Sequence, residues 1–170
     1  MIGKKRLVVL DVDGVLTDGT KMYGKNGEVF GKRFCDHDFT AIKKFKMAGW
    51  DVVWLSADLN INAVVAKDRG IEFYSSMFDG KIDKINGLNN ILEMFNGQYR
   101  LSDVVYAGDD LYDIDIMKLI NDNGGYTFCP IDAVKHVRDV AMHTTYVGGG
   151  CGVVMDIMNF FDFDGVAPCV

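Results

Sequence analysis

The residues of this chain best equipped for chemistry are aspartates placed just after short apolar runs. Leu7-Val8-Val9-Leu10 is followed by Asp11 and Asp13, spaced two apart, and then by Gly14. Asp51-Val52-Val53-Trp54-Leu55 ends at Ser56-Ala57-Asp58, and Asp103-Val104-Val105-Tyr106-Ala107 runs into Gly108-Asp109-Asp110-Leu111-Tyr112-Asp113. A run of β-formers closed by acids reads as a buried strand that delivers polar groups at its carboxyl end, where open parallel sheets bind their ligands. If the first strand simply continued, Asp11 and Asp13 would lie on one face and reach a single ligand, with Val12 pointing away. Carboxylates held so close must be compensated, and a hard cation taking their oxygens does this best. Taken alone, each signal has a plainer explanation. D-x-D-G fits a solvated acidic turn equally well. Asp110 and Asp113 fit the acid-rich start of a helix as well as a direct role, and a lone serine or lysine after a strand is usually a loop residue.

The elements that must position these groups alternate along the chain. After the first strand, Thr20–Tyr23 and Glu28–Phe34 flank Gly24-Lys25-Asn26-Gly27, and Asn-Gly between strand-like runs predicts a β-hairpin. Asp36-His37-Asp38-Phe39 opens an amphipathic helix over Thr40–Gly49, with Ile42 and Phe45 on its apolar face and Gly49 as its stop. The strand over 51–55 follows, then a helix over 60–69 and a short strand over 71–74. Asp79-Gly80-Lys81-Ile82-Asp83-Lys84 precedes a helix whose stripe is Ile85, Leu88, Ile91, Leu92 and Phe95. The strand over 103–107, a helix over 114–120, a late strand over 125–128, a short helix over 133–138 and a last helix ending near Phe161 complete the order. Strands alternating with helices imply an α/β domain, doubly wound around a mostly parallel sheet. At 170 residues one domain spanning the whole chain is expected.

Composition excludes several classes. Hydrophobic residues at 49% and charged residues at 25% are globular values. A net charge of -6 argues against a general grip on nucleic acid. The basic Gly3-Lys4-Lys5-Arg6 start is followed by too few apolar residues for a signal peptide, and no later run approaches a membrane span. The chain is therefore expected in the cytoplasm. Cys35, Cys129, Cys151 and Cys169 lack any C-x-x-C pairing and read as free thiols.

In full, D-V-D-G-V-L-T-D-G over 11–19 resembles the first motif of the haloacid-dehalogenase-like phosphohydrolases, most closely the small capless sugar-acid phosphatases of the 3-deoxy-manno-octulosonate 8-phosphate phosphatase type. Asp11 and Asp13, Ser56, Lys84, then Asp109, Asp110 and Asp113 match the four motifs of that superfamily in order. The resemblance implies that Asp11 is a nucleophile forming an aspartyl-phosphate and that Asp13 moves the proton, like-charged neighbours favouring its protonated form. It implies a Mg²⁺ held by Asp11, Asp109 and, through its backbone carbonyl, Asp13, with Asp110 and Asp113 in support. Ser56, the Ala57 amide and amides around Gly14 would bind the phosphate. Lys84 is the motif lysine, with Lys81 as the fallback. The hairpin stands where many relatives carry a mobile cap. In capless relatives such hairpins pack into a homotetramer whose neighbouring subunits close each site. The implied partner is a small phosphorylated sugar or sugar acid. Two positions depart from the sugar-acid pattern: T-G-R becomes Ser56-Ala57-Asp58, and G-G-R-G or G-G-E-G becomes Gly149-Gly150-Cys151-Gly152. An aspartate in place of a guanidinium is expected to repel a substrate carboxylate. A phospho-receiver domain is disfavoured because its phosphorylated aspartate sits on a middle strand, here ending in Ser56. The alternatives are a noncatalytic binding or structural subunit of the same fold, which loss of a catalytic acid would favour although Asp11, Asp13 and Asp109 are all present, and a phosphatase of nucleotides or macromolecules, which shares the same motifs.

Overall fold

A computed structural model of the protein describes residues 5–161. In chain order the elements are β1 (Leu7–Leu10), β2 (Met22–Tyr23), β3 (Val29–Gly31), α1 (Asp36–Met47), β4 (Asp51–Ser56), α2 (Ile61–Asp68), β5 (Glu72–Ser75), β6 (Met77–Phe78), β7 (Lys81–Ile82) and α3 (Lys84–Met94). Then come β8 (Val104–Ala107), α4 (Ile114–Asp122), β9 (Tyr126–Cys129), α5 (Lys135–Arg138), β10 (His143–Thr144) and α6 (Val153–Phe160). Six strands form a sheet in the order β10-β9-β8-β1-β4-β5, every neighbouring pair parallel.

Strand alternation divides the core into two layers. Val8 and Leu10 of β1, with Val52 and Trp54 of β4, face α1 and α6, where they meet Ile42, Phe45, Val154 and Ile157. Leu7 and Val9, with Val53 and Leu55, face the other way onto Leu88 and Ile91 of α3 and Ile116, Met117 and Ile120 of α4. All four residues of β1 are fully buried, as a central parallel strand covered on both faces requires. The chain steps from β1 outward to β4 and β5, then returns to β8 on the other side of β1 and continues to β9 and β10. The carboxyl end of β1 is therefore a topological switch point, the place where an open parallel sheet leaves a crevice.

Three details differ from the sequence reading. Helix α1 begins at Asp36, not Thr40: Asp36 and Asp38 belong to its first turn, where acids are favoured by the helix dipole. Asp38 is buried and accepts the Val154 amide of α6 at 2.7 Å, so its polarity marks a helix contact and not a loop. A second hairpin pairs β6 with β7, turning on Asp79 and Gly80, both with positive φ. The edge strand β10 adds a sixth strand beside β9. The β2–β3 hairpin forms as expected between β1 and α1, and no cap domain interrupts the chain among the described residues.

Candidate active site

Strand β1 ends at Leu10, and the chain turns at once. The Val12 carbonyl accepts the amides of Leu16 and Thr17 at 3.0 Å each, and Gly14 adopts a φ of +85°. Only glycine fits there: a Cβ would stand 2.0 Å from Asp109 Oδ2. The glycine-rich stretch closes over this turn, with Gly150 donating its amide to the Val15 carbonyl at 2.9 Å. A Cβ on Gly149 would stand 2.2 Å from the Gly14 carbonyl oxygen, so these glycines are needed for backbone-to-backbone packing.

Asp11 leaves the end of β1 with its side chain nearly buried and its Oδ1 accepting the Val12 amide at 2.7 Å. Lys84, the first residue of α3, reaches across the crevice to Asp11 Oδ2 at 2.7 Å and Asp113 Oδ1 at 3.1 Å. Asp83 fixes that helix start by accepting the Asn86 amide. Lys81, in β7, is exposed. Asp113 is completely buried and carries two donors on each oxygen: Tyr106 Oη at 2.5 Å and Lys84 on Oδ1, the amides of Asp109 at 2.9 Å and Asp110 at 3.0 Å on Oδ2. Asp110 is a cap, accepting the Leu111 amide at 2.7 Å.

Oxygens of Asp11, Asp109 and Asp113 lie within 4.8 Å of one another, and Oδ1 of Asp109 is buried without a partner. The charge is unbalanced, three carboxylates against Lys84. Burial, the Asp11 and Asp113 charges and a smaller repulsion from Asp110 push Asp109 up to about 8, with Lys84 partly opposing. Burial pushes Asp11 up to about 7, held back by Lys84 and furthered by Asp113. Burial would lower the proton affinity of Lys84, but Asp11 and Asp113 outweigh it and raise it. A cation fits this donor set, because it would satisfy the orphaned Asp109 oxygen and offset the excess charge. Asp11 and Asp109 have oxygen lone pairs left for it. Asp113 has none, so it orients the others.

Ser56, at the end of β4, is buried, and its Oγ accepts Asn62 Nδ2 at 3.0 Å and the Asp58 amide at 3.2 Å. With both acceptor positions used, its O–H is the group left for a ligand. Asp11, Asp13, Ser56, Ala57, Lys84, Asp109, Asp110 and Asp113 all line one open cavity of about 940 Å³, which Lys21 and Val29 of the hairpin region and Met77 and Ile82 of the second hairpin also border.

Two expectations change here. Because β1 stops at Leu10, Asp13 does not share a face with Asp11, and its side chain stays outside the close carboxylate group. Its nearest charge is a cation, Lys32 at 2.7 Å, instead of the like-charged neighbours expected. Nor does Asp58 stand as a bare negative charge. Burial raises its proton affinity, but bonds from Lys32 and the Asn60 amide outweigh this and leave it lowered, with the Lys32 charge offset against its own. Lys32 and Asn62 are the site residues that motif reasoning misses. Asn62 had a faint signal, an amide four residues before Ala66 on the buried face of α2.

No family model matches the chain. A curated relative, the 3-deoxy-D-manno-octulosonate 8-phosphate phosphatase KdsC of Haemophilus influenzae, is 30% identical over 155 residues, 91% of this chain and 81% of its own length. The solved cobalt-bound deoxy-D-mannose-octulosonate 8-phosphate phosphatase of Haemophilus influenzae superposes with a TM-score of 0.79 at 29% identity, over 92% of this chain and 86% of its own. The 3-deoxy-D-manno-octulosonate 8-phosphate phosphatase of Yersinia pestis gives 0.81 at 27% identity, over 95% and 85%. With the acid–lysine–serine crevice at the switch point of the same fold, these likenesses establish that the chain belongs to the KdsC family of haloacid-dehalogenase-type phosphatases, hydrolases of phosphate monoesters.

Proposed function

We propose that this chain is a Mg²⁺-dependent phosphomonoesterase that works through an aspartyl-phosphate on Asp11 and acts on a small phosphorylated sugar or sugar acid. The observation that carries the reading is the convergence of Asp11, Lys84, Asp109 and Ser56 on one cavity, with Asp11 and Lys84 2.7 Å apart. The cavity of about 940 Å³ suits a small molecule. The curated relatives named above are phosphatases of 3-deoxy-D-manno-octulosonate 8-phosphate, which supports a sugar-acid phosphate as substrate. A cobalt-bound neighbour supports a divalent cation.

Ser56 Oγ, the Ala57 amide and amides around Gly14 would donate to the phosphate oxygens, the Gly14 amide itself being turned to Thr17 Oγ1 at 3.4 Å. An Asp11 oxygen attacks phosphorus as the ester P–O bond breaks, and the departing oxygen takes a proton from Asp13. Asp13, now a carboxylate, takes a proton from water. The water oxygen then attacks phosphorus, and the bond to Asp11 breaks, freeing inorganic phosphate and the Asp11 carboxylate. Lys84 keeps Asp11 in place through both steps and offsets its charge. Asp11 and Asp109 would hold the Mg²⁺ with the Asp13 carbonyl, and that ion supplies the charge that lets Asp11 approach an anionic phosphate.

A homotetramer is part of the same reading. The hairpin leaves Met22, Tyr23 and Phe30 about half to two-thirds exposed beside an open cavity, more apolar surface than a two-stranded ribbon keeps in water. Assembly on that patch would cover it and close the site. A cytoplasmic setting fits the free thiols of Cys35, Cys129 and Cys151; no described helix is long and apolar enough to cross a membrane. The deciding experiment is phosphate release from a panel of phosphorylated sugars and sugar acids, with Mg²⁺ and with a chelator, for the parent and Asp11→Asn. Turnover by Asp11→Asn near the parent rate would remove the nucleophile, and release unchanged by chelation would remove the metal.

A further inference from the structure

We propose that Lys32, carried at the end of the β2–β3 hairpin, is a positioning residue that fixes the Asp13 carboxylate for proton transfer. Its side chain is fully buried. Its ammonium stands 2.7 and 3.0 Å from the two Asp13 oxygens, 2.5 Å from Asp58 Oδ2 and 2.9 Å from Asn62 Oδ1. An ammonium has three protons, and here three residues take them. Asn62 closes the frame from α2, donating to Asp13 Oδ2 at 3.1 Å and to Ser56 Oγ at 3.0 Å. Burying a lysine is costly unless every donor is met, and a fully met set of this kind fixes geometry more than it adds stability.

The frame matters because Asp13 needs it. Asp13 follows the end of β1 in a turn, and its side chain is 29% exposed, so neither strand nor core holds its rotamer. Lys32 and Asn62 grip both of its oxygens from one side and tie them to Ser56, the residue assigned to the phosphate. The carboxylate is thereby registered against the phosphate it serves, and the hairpin becomes part of the catalytic scaffold.

This inference rests on the reading in which Asp13 passes its proton to the departing oxygen while the Asp11–phosphorus bond forms and the ester bond breaks. A misplaced Asp13 then harms esters whose leaving group must be protonated, and spares those that depart as stable anions. The test compares kcat/KM, which reports on steps up to phosphoenzyme formation, for an alkyl sugar phosphate from the panel and for 4-nitrophenyl phosphate. Lys32→Met is expected to lose about 10²-fold or more on the alkyl ester and less than about tenfold on the aryl ester, the size of a lost proton-transfer group. Lys32→Arg recovers part of the alkyl activity. Asp13→Asn is expected to show the same bias.

Equal losses of Lys32→Met on both esters would mark Lys32 as merely structural and overturn the proposal. Bias in Asp13→Asn with none in Lys32→Met overturns the role of Lys32 alone. No bias in Asp13→Asn overturns the role of Asp13, and this proposal with it. If circular dichroism shows that Lys32→Met does not fold, the double variant Lys32→Met/Asp58→Asn removes a carboxylate together with its cation and leaves less buried charge uncompensated. The same bias is expected of it, and its absence overturns the proposal equally.

Discussion

Asp113→Asn is the substitution whose outcome the structure constrains most tightly. The carboxylate is wholly buried and its two oxygens accept four donors, from Tyr106, Lys84 and the amides of Asp109 and Asp110. Asparagine has one acceptor oxygen. With that oxygen facing the two amides, its NH₂ faces Tyr106, whose hydroxyl can turn and accept, and Lys84, which cannot. With the NH₂ reversed, both amides go unpaired. The first arrangement wins and leaves Lys84 with Asp11 as its remaining carboxylate in reach. One or two buried donors left without a partner cost roughly 1–3 kcal/mol each, and relief of repulsion with Asp11 and Asp109 returns part of that. A net loss of about 2 kcal/mol lowers the melting temperature by about 4–8 °C in a protein of this size. Lys84 then leans on Asp11 alone, and kcat/KM falls about 10- to 100-fold, a displacement effect of the kind that misplaced reacting groups show. Asp113→Ala removes all four acceptor contacts and should melt well below the Asn variant. Thermal melts followed by circular dichroism, with kinetics on the same samples, make the measurement. An Asn variant that melts within about 2 °C of the parent and turns over normally would refute the view that Asp113 holds the site together.

The metal-free protein should lose stability as pH rises through about 7–8, because Asp11 and Asp109 are raised from 3.8 to about 7 and about 8 and the folded chain binds their protons more tightly than the unfolded chain. Their contribution is full below about pH 4, and Mg²⁺ should flatten the slope; melts from pH 5 to 9 with chelator that gain stability upward would contradict this. Lys84→Ala should depress kcat/KM far more than Lys81→Ala, since Lys84 is buried against Asp11 and Asp113 while Lys81 is exposed; the reverse ranking in steady-state kinetics would move the motif role to Lys81. Light scattering should find a tetramer, and charged replacements of Tyr23 and Phe30, both more than 60% exposed, should dissociate it and lower activity together. A monomer that turns over small esters at the parent rate would end the shared-site idea.

The fold was legible in the sequence wherever a long apolar run met a clear stop. β1, β4 and β8 are buried on both faces and read as near-continuous hydrophobic runs, so their carboxyl ends, and hence the switch point, follow directly. Short elements were harder. β6 and β7 have two residues each, too few to show alternation, although the Asp79-Gly80 pair between them carries the hairpin signal. β10, also two residues long, exists because β9 offers it an edge, which no local pattern announces.

Charged residues show the same division between local and distant causes. Asp11, Lys84 and Asp109 could be found because each stands at the end of a strand or the start of a helix, a position visible in the chain itself. Lys32 could not: in Gly31-Lys32-Arg33 it looks like a solvated hairpin charge, and its acceptors lie 19, 26 and 30 residues further or earlier in the chain. Asp58 shows the same dependence on a distant partner. Read by itself, an aspartate in place of an arginine turns an attractive position into a repulsive one. In the fold, the buried Lys32 ammonium stands against Asp58 and offsets its charge, and with its other protons on Asp13 and Asn62 it offers no cation to the cavity, so the departure at 58 leaves neither a bare carboxylate nor a replacement for the arginine. A specificity argument drawn from one position of a motif is therefore sound only after the partner of that position is known, and here the partner rides on the hairpin.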